Sequence, residues 1–233
     1  MNGFITDIET MGMVDGPGVR LVVFLAGCNL RCAYCHNPET WQISANSKSI
    51  SSQEILDLYQ KYKVYYGQNG GVTFSGGEPL VQYDFLLETV KLLKKNNIHV
   101  ALDTAGVAEN FEEVLKLVDL VILDIKAIDE IEYKNITSHD MFLYNKFLHE
   151  AIRQKKKLWL RQVVVPGIND NWVHIEKLKE YIRSIPNVER VELLPYHTLG
   201  VHKYRELNIP YRLDGVKEMD KNLCKQFEDF LNE

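Results

Sequence analysis

Three of the four cysteines, Cys28, Cys32 and Cys35, fall within eight residues at the spacing C-x3-C-x2-C. Thiolates that close repel one another unless a cation collects them. The fourth, Cys224, lies far along the chain in what reads as a surface helix. The spacing therefore points to a 4Fe-4S cluster with three protein ligands and one iron left open to a cofactor or substrate. Zinc is the main alternative, with His36 as fourth ligand. His36 directly follows Cys35, however, which is poor geometry for a tetrahedral site. A chance set of small buried hydrophobes is the remaining reading.

Other residues that can do chemistry recur at the ends of apolar runs. Gly76-Gly77-Glu78 follows Val72–Ser75, and two residues without Cβ atoms let backbone approach a ligand closely or simply make a turn. Asp103-Thr104 and Asp124-Ile125-Lys126 close two further runs. Paired carboxylates there are costly if buried without a cation or donor, although hydrogen-bonded structural carboxylates are the commoner case. Arg161 sits inside an apolar run, where an inward guanidinium needs an anion and an outward one is an edge charge. Tyr34 and His197 taken alone are packing residues as readily as ligand contacts.

Elements able to position these groups follow from periodicity. Strands are expected near 3–9, 20–26, 72–75, 98–104, 120–125, 158–165 and 188–194. Helices are expected at 51–66, opened by the capping box Ser51-Ser-Gln-Glu54, and at 85–95, 111–118, 142–156, 171–184 and 216–231. Residues 38–49 and 198–215 read as irregular, and 129–138 as a loop or broken helix. Strand–helix alternation repeated about six times implies a mostly parallel sheet with helices outside. Each polar motif sits just past the carboxyl end of a strand, where active-site loops of such folds lie. At 233 residues the chain suits one large core and is short for a complete eightfold barrel.

Composition narrows the function. The net charge of −5 argues against a general nucleic-acid binder. Clustered cysteines do not read as a secreted disulfide framework. Met1-Asn-Gly-Phe-Ile-Thr-Asp7 lacks a basic leader followed by an apolar run, and no run reaches transmembrane length, so a cytoplasmic location and no membrane contact are expected.

The cysteine loop resembles that of the radical S-adenosylmethionine enzymes. Within them, the chain resembles the activating enzymes of pyruvate formate-lyase through Asp15-Gly-Pro-Gly-Val-Arg20, Tyr34-Cys-His-Asn-Pro38 and Phe74-Ser-Gly-Gly-Glu-Pro79. Leu123-Asp-Ile-Lys126, Val164-Val-Pro-Gly167 and Leu193-Leu-Pro-Tyr-His197 extend the likeness, in order, from about residue 4 to about residue 232. The resemblance implies an α/β fold, an incomplete (β/α)6 barrel, in one radical SAM domain over residues 1–233. It implies Cys28, Cys32 and Cys35 as cluster ligands, with S-adenosylmethionine on the open iron. Tyr34, Gly76, Gly77, Glu78, Lys126, Arg161 and His197 then contact that cofactor. Asp103, Thr104 and Asp124 hold a monovalent cation beside it. Asp15, Arg20, His36 and Asn37 face the open side of the pocket and serve peptide recognition or loop order.

The implied reaction is reductive cleavage of S-adenosylmethionine to a 5′-deoxyadenosyl radical, which takes an α-hydrogen from a glycine of pyruvate formate-lyase. No residue is expected as an acid or base. Flavodoxin or ferredoxin is the implied electron donor, and the enzyme is expected to be a monomer. Activases of other glycyl radical enzymes are the nearest alternative, but several of them carry extra cysteine-rich modules, and none stands between residues 36 and 71. A small-molecule radical enzyme, an electron carrier and a zinc-stabilised interaction protein are weaker alternatives.

Overall fold

The computed structural model describes residues 1–45 and 47–233. Strands run at Asn2–Gly12 (β1), Arg20–Leu25 (β2), Lys48–Ser51 (β3), Gly71–Gly76 (β4), Val100–Thr104 (β5), Leu120–Asp124 (β6), Lys157–Val164 (β7) and Val188–Pro195 (β8). They form one sheet in the order β3-β1-β2-β4-β5-β6-β7-β8. β2 and β4 to β8 pair in parallel, which supplies the six expected barrel strands. β1 is antiparallel to both β2 and β3. β3 and β8 end the sheet, so the barrel stays open.

Helices occupy Ser52–Tyr66 (α1), Tyr83–Lys95 (α2), Glu112–Leu117 (α3), Glu130–Thr137 (α4), Phe142–Arg153 (α5), Trp172–Arg183 (α6), Val201–Glu206 (α7) and Lys221–Asn232 (α8). The Ser51–Glu54 capping box forms as its sequence dictates: Ser51 Oγ accepts from the Glu54 amide, and the Ser51 amide donates to Glu54.

The pleat divides the strands' side chains between two environments. Leu21, Val23, Phe74, Leu102, Val121, Leu123 and Leu160 belong to the large outer core under the helices. The alternate residues face the lumen. There Ala101, Leu120, Ile122 and Trp159 form a small separate apolar layer. Toward the strands' carboxyl ends the inward positions turn polar, with Ser75, Asp103, Asp124 and Arg161. That change of polarity along one face puts the reactive end of the lumen where the strands deliver their loops.

Four elements differ from expectation. β3 falls in a segment read as irregular, because its single buried residue, Ile50, gives no alternation to read. Residues 130–137 are helical, capped by Asp129, whose Oδ1 accepts from the Glu132 amide. α7 interrupts the expected loop over 198–215. α8 begins at Lys221 rather than 216, behind its cap Asp220.

Cys224 is buried, not on a surface helix face. It belongs to the face of α8 that covers the free edge of β8. There the Leu193 amide donates to Glu228, Cys224 Sγ donates to the Leu193 carbonyl at 3.7 Å, and Asn232 Nδ2 donates to the Val191 carbonyl at 3.4 Å. An edge strand with its polar groups occupied is poorly available for pairing with another chain. Among the described residues, no helix is long and apolar enough to cross a membrane.

Candidate active site

The three-cysteine loop leaves the carboxyl end of β2 and is held from several sides by backbone hydrogen bonds. The Gly27 and Cys28 amides donate to the Thr40 and Trp41 carbonyls at 2.7 and 3.2 Å. The Arg31 and Ala33 amides donate to the Thr137 and Ile136 carbonyls at 2.9 and 2.8 Å. Those carbonyls end α4 and lack partners within the helix, so the loop satisfies them. Arg212 reinforces the junction by donating to the carbonyls of Asn135, Ile136 and Arg31. On the other flank, Tyr204 of α7 donates to the Cys35 carbonyl at 2.9 Å. α4, which the sequence leaves as a loop or broken helix, and α7, which it leaves as loop, thus buttress the cysteine loop.

Cys28, Cys32 and Cys35 line one cavity of about 210 Å³. Gly76, Gly77, Asp103, Thr104, Asp124 and Lys126 line it as well, and so do Tyr34, His36 and Asn37. Glu78, Arg161 and His197 lie outside that lining. Burial raises the Cys28 thiol to about 12, with the Glu78 carboxylate adding to the effect. Burial likewise lifts Cys32 to about 11 and raises Cys35. Thiols so desolvated become thiolates only against a strong local positive charge. Among the described residues, no three His, Cys, Asp or Glu side chains converge as the ligands of one ion would. A 4Fe-4S cluster takes one thiolate on each of three irons, which three cysteines around one cavity can supply. The donor set fits the cluster.

The two glycines are required by the fold itself. Gly76 has φ +108°, and a Cβ there would lie 2.5 Å from the Leu25 amide nitrogen. A Cβ on Gly77 would lie 2.2 Å from the Gly27 carbonyl oxygen. The turn after β4 therefore packs directly on the start of the cysteine loop, and the Glu78 amide donates to the Gly27 carbonyl at 2.9 Å. Glu78 is fully buried, and its carboxylate accepts from Thr104 Oγ1 at 2.6 Å, from the Ala105 amide at 2.9 Å and from the Leu80 amide at 3.2 Å. Burial raises its pKa despite these donors. The carboxylate ties β4 to the end of β5 through Thr104 and Ala105, both of which line the cavity.

Asp103 accepts from Ser75 Oγ at 2.7 Å, and Arg161 Nη1 stands 3.8 Å away. Burial, and then the Asp124 carboxylate, push Asp103 up to about 7. Asp124 accepts from Lys126 Nζ at 2.5 Å. Burial pulls the Lys126 ammonium down, but Asp124, Tyr34 and Cys32 outweigh it and the net displacement is upward. Lys126 also stands 5.7 Å from the Tyr34 ring centre, and the Tyr34 hydroxyl is buried without a hydrogen-bond partner. Thr104 Oγ1 is occupied on both sides, donating to Glu78 and accepting from the Gly106 amide at 2.8 Å.

In register, Arg161 lies between Asp124 and Glu192. Its Nε donates to Glu192 at 2.7 Å, and its Nη2 donates to the Val14 carbonyl. Glu192 also pairs with Arg190 at 2.6 Å. It was not singled out in the sequence, because one acid among Glu189, Arg190 and Glu192 reads as a solvated edge.

The expected peptide-facing residues separate. His36 stacks on His197 with ring centres 3.7 Å apart, and its Nε2 pairs with the His197 carbonyl oxygen at 3.0 Å. Burial, then His197, lower the His36 pKa to about 4. His197 Nδ1 is buried without a partner. Asn37 is exposed and accepts from Lys203 at 2.8 Å. Asp15 is half-buried, and burial raises its pKa against the pull of Arg161 and Arg20. Arg20 does not face the open side. It opens β2, at the opposite end of the strand from the cysteine loop, and is fully buried.

Known proteins resemble this chain over most of its length. The family described as the radical SAM superfamily matches residues 22–182. The pyruvate formate-lyase-activating enzyme of Clostridium pasteurianum is 48% identical over 233 residues, 99% of this chain and 98% of the relative. Its counterpart in Staphylococcus epidermidis is 42% identical, covering 100% of this chain and 96% of the relative. Among solved structures, a domain of the pyruvate-formate lyase-activating enzyme of Bacteroides vulgatus aligns with TM-score 0.56 at 24% identity, over 70% of this chain and 93% of that one. That last likeness speaks to the fold alone.

Proposed function

We propose roles for the site residues from one premise: this chain belongs to the radical SAM superfamily and, within it, to the pyruvate formate-lyase-activating enzymes. It is an enzyme that generates a glycyl radical on pyruvate formate-lyase, and its cofactors are a 4Fe-4S cluster and S-adenosylmethionine. When bound, these two supply a one-electron reductive cleavage of the sulfonium and, from it, abstraction of a glycine α-hydrogen. The single domain then comprises the whole of residues 1–233.

Cys28, Cys32 and Cys35 hold the cluster; their shared cavity is the observation that carries this reading. Gly76 and Gly77 give the methionine end of S-adenosylmethionine a backbone surface, and Lys126 and Tyr34 line its flank. Glu78 positions that surface through Thr104 and Ala105. His197 presents a buried Nδ1 with no protein partner, a group available to the cofactor. Arg161 neutralises Asp103 and Glu192 rather than the cofactor directly.

Asp103 and Asp124 are the carboxylates for a monovalent cation: they line the same cavity, and burial, then Asp124, raise the Asp103 pKa. Thr104 contributes there through its carbonyl, its hydroxyl being occupied. His36 and Asn37 edge the cavity on the side where a peptide enters, and Asp15 lies on the loop beneath. The electron donor is of the flavodoxin or ferredoxin class. A reduced cytoplasm suits these thiols, and a monomer leaves the open barrel side free.

Anaerobic reconstitution tests the ligand assignment. Wild type and Cys224→Ala should bind about four irons per chain and cleave S-adenosylmethionine with a reduced donor. Cys28→Ala, Cys32→Ala and Cys35→Ala should lose both. Full iron content in any of those three would remove that residue from the ligand set. In the same assay, Asp103→Asn and Asp124→Asn should weaken cofactor use, and activity should differ between sodium and potassium at matched ionic strength. Equal activity in both and in a large organic cation would count against the cation site.

A further inference from the structure

The wall behind the cysteines is one chain thick. Leu30 and Cys32 line the cysteine cavity, while Arg31 between them lines a second, open groove of about 720 Å³. The alternation repeats after the loop. Asn37 and Thr40 line the cavity, whereas Pro38, Glu39 and Trp41 line the groove. No residue lines both. Leu207 and Ile209, just past α7, line the groove as well.

Two groove residues are joined directly to the cysteine loop. The Trp41 carbonyl accepts from the Cys28 amide at 3.2 Å. Arg31 Nη1 donates to the Cys28 and Leu30 carbonyls at 2.8 and 2.7 Å. The Arg31 guanidinium also lies over the Trp41 ring, 4.8 Å from its centre. Trp41 meets Tyr204 edge to face at 5.8 Å, and Tyr204 donates to the Cys35 carbonyl. The indole is thus fixed by two residues that themselves grip the cysteine loop, which makes it a pre-organised contact. Charge distinguishes the groove from the rest of the chain. Glu39, which lines it, is paired with Lys203 at 2.5 Å. Among the described residues, no carboxylate pairs with Arg31, whose Nη1 is taken by the two carbonyls. A chain of net charge −5 therefore shows an uncompensated guanidinium beside an indole, at the back of the cysteine loop.

We propose that this groove is the docking site of the electron donor, a small one-electron carrier protein with an acidic face around its redox group. The inference rests on the activase reading of the site and adds to it the place where the electron enters. Reductive cleavage takes one electron from outside. The carrier is oxidised by one electron, the cluster is reduced by one, and no bond to this chain forms or breaks. Electron transfer weakens steeply with distance, so the carrier must come close to the cysteines. The cavity itself is taken by S-adenosylmethionine and the glycine peptide. The groove reaches the other side of the same loop, so carrier and partner enzyme can be bound together. Arg31 draws in an acidic face, and Trp41, Leu207 and Ile209 offer it apolar contact.

Arg31 and Trp41 also support the cysteine loop, so Gln42 and Leu207 carry the test. Both are exposed, and both line the groove and not the cavity. Flavodoxin is titrated calorimetrically into the reconstituted holoenzyme. At low salt, the double substitution Gln42→Glu with Leu207→Glu should weaken its Kd roughly tenfold through like-charge repulsion. Gln42→Lys should bind at least as tightly as wild type, and the differences should shrink in high salt. Flavodoxin-driven cleavage of S-adenosylmethionine should show the same rise in KM for flavodoxin. Cleavage driven by dithionite, which needs no docking, should be unchanged. Equal Kd values across the variants would overturn the proposal. A raised KM for pyruvate formate-lyase with flavodoxin binding unchanged would give the groove to the partner enzyme and overturn it too. A matching loss of dithionite-driven cleavage would place the effect in the cluster and not in docking. Flavodoxin binding that responds to these variants, with no radical formed on pyruvate formate-lyase, would defeat the activase reading and leave the docking site standing.

Discussion

His99 shows how one side chain makes the anchorage of the buried Arg20 sensitive to acid. Its Nδ1 faces Arg20 Nη2, so that nitrogen must be unprotonated to accept. Burial, and then Arg20, lower its pKa; Lys94 and Lys157 add to this, while Asp119 opposes it. A depressed folded-state value means the unfolded chain takes up the proton first as pH falls. The contribution of His99 to stability is therefore intact above its ordinary value near 6.5 and is lost below it. Replacing His99 by Gln keeps an acceptor for Arg20 and removes the titration. Between pH 7.5 and 5.5, the Tm of the wild type should fall more steeply than that of His99→Gln. Parallel curves would show that His99 does not titrate against Arg20.

Among individual residues, the cysteine triplet, the paired glycines and the strand-end carboxylates were legible because each combines an unusual type with a strand end. Glu78 and Arg20 were legible as motif members but not in their partners. Spacing says that an acid follows two glycines; it does not say that Thr104, at the end of β5, and Ala105 just after it will occupy it. The same holds for Arg20, whose position at the amino end of β2 sets it away from the cavity.

At the scale of elements, the barrel strands and the larger helices could be read because their apolar periods are long. α4, α7 and β3 could not. α4 has three buried residues in eight, and β3 one in four, too few to define a period. α4 and α7 are short because their task is local: they support the cysteine loop. α8 is the reverse case, an amphipathic helix whose direction of burial was misjudged for Cys224. It packs Phe227 against Trp172, ring centres 4.8 Å apart, and closes the edge of β8. Phe227→Ala should cost about 3–5 kcal/mol in urea unfolding, as for other fully buried aromatics, with added aggregation as the β8 edge is uncovered. A loss below about 1 kcal/mol would mean that α8 does not seal the sheet.

Over the whole molecule, an open parallel sheet resolves two demands that a closed barrel would set against each other. The carboxyl ends of the strands gather thiols, carboxylates and Lys126 around a single cavity. The missing strands leave a side through which a segment of a large protein can reach that cavity. Residues 13–19, tied to Thr73 of β4 and Arg161 of β7, cross the lumen beneath it.

The central claim is that this scaffold delivers a hydrogen-abstracting cofactor to a glycine in pyruvate formate-lyase. Electron paramagnetic resonance on the partner tests it most directly, after anaerobic incubation with the reconstituted enzyme, S-adenosylmethionine and a reduced donor. The account predicts a glycine-centred doublet that loses its splitting when the enzyme's partner is made with glycine deuterated at the α-carbon, since one α-hydrogen remains after the other is removed. Efficient cleavage of S-adenosylmethionine with no radical on folded pyruvate formate-lyase would contradict it.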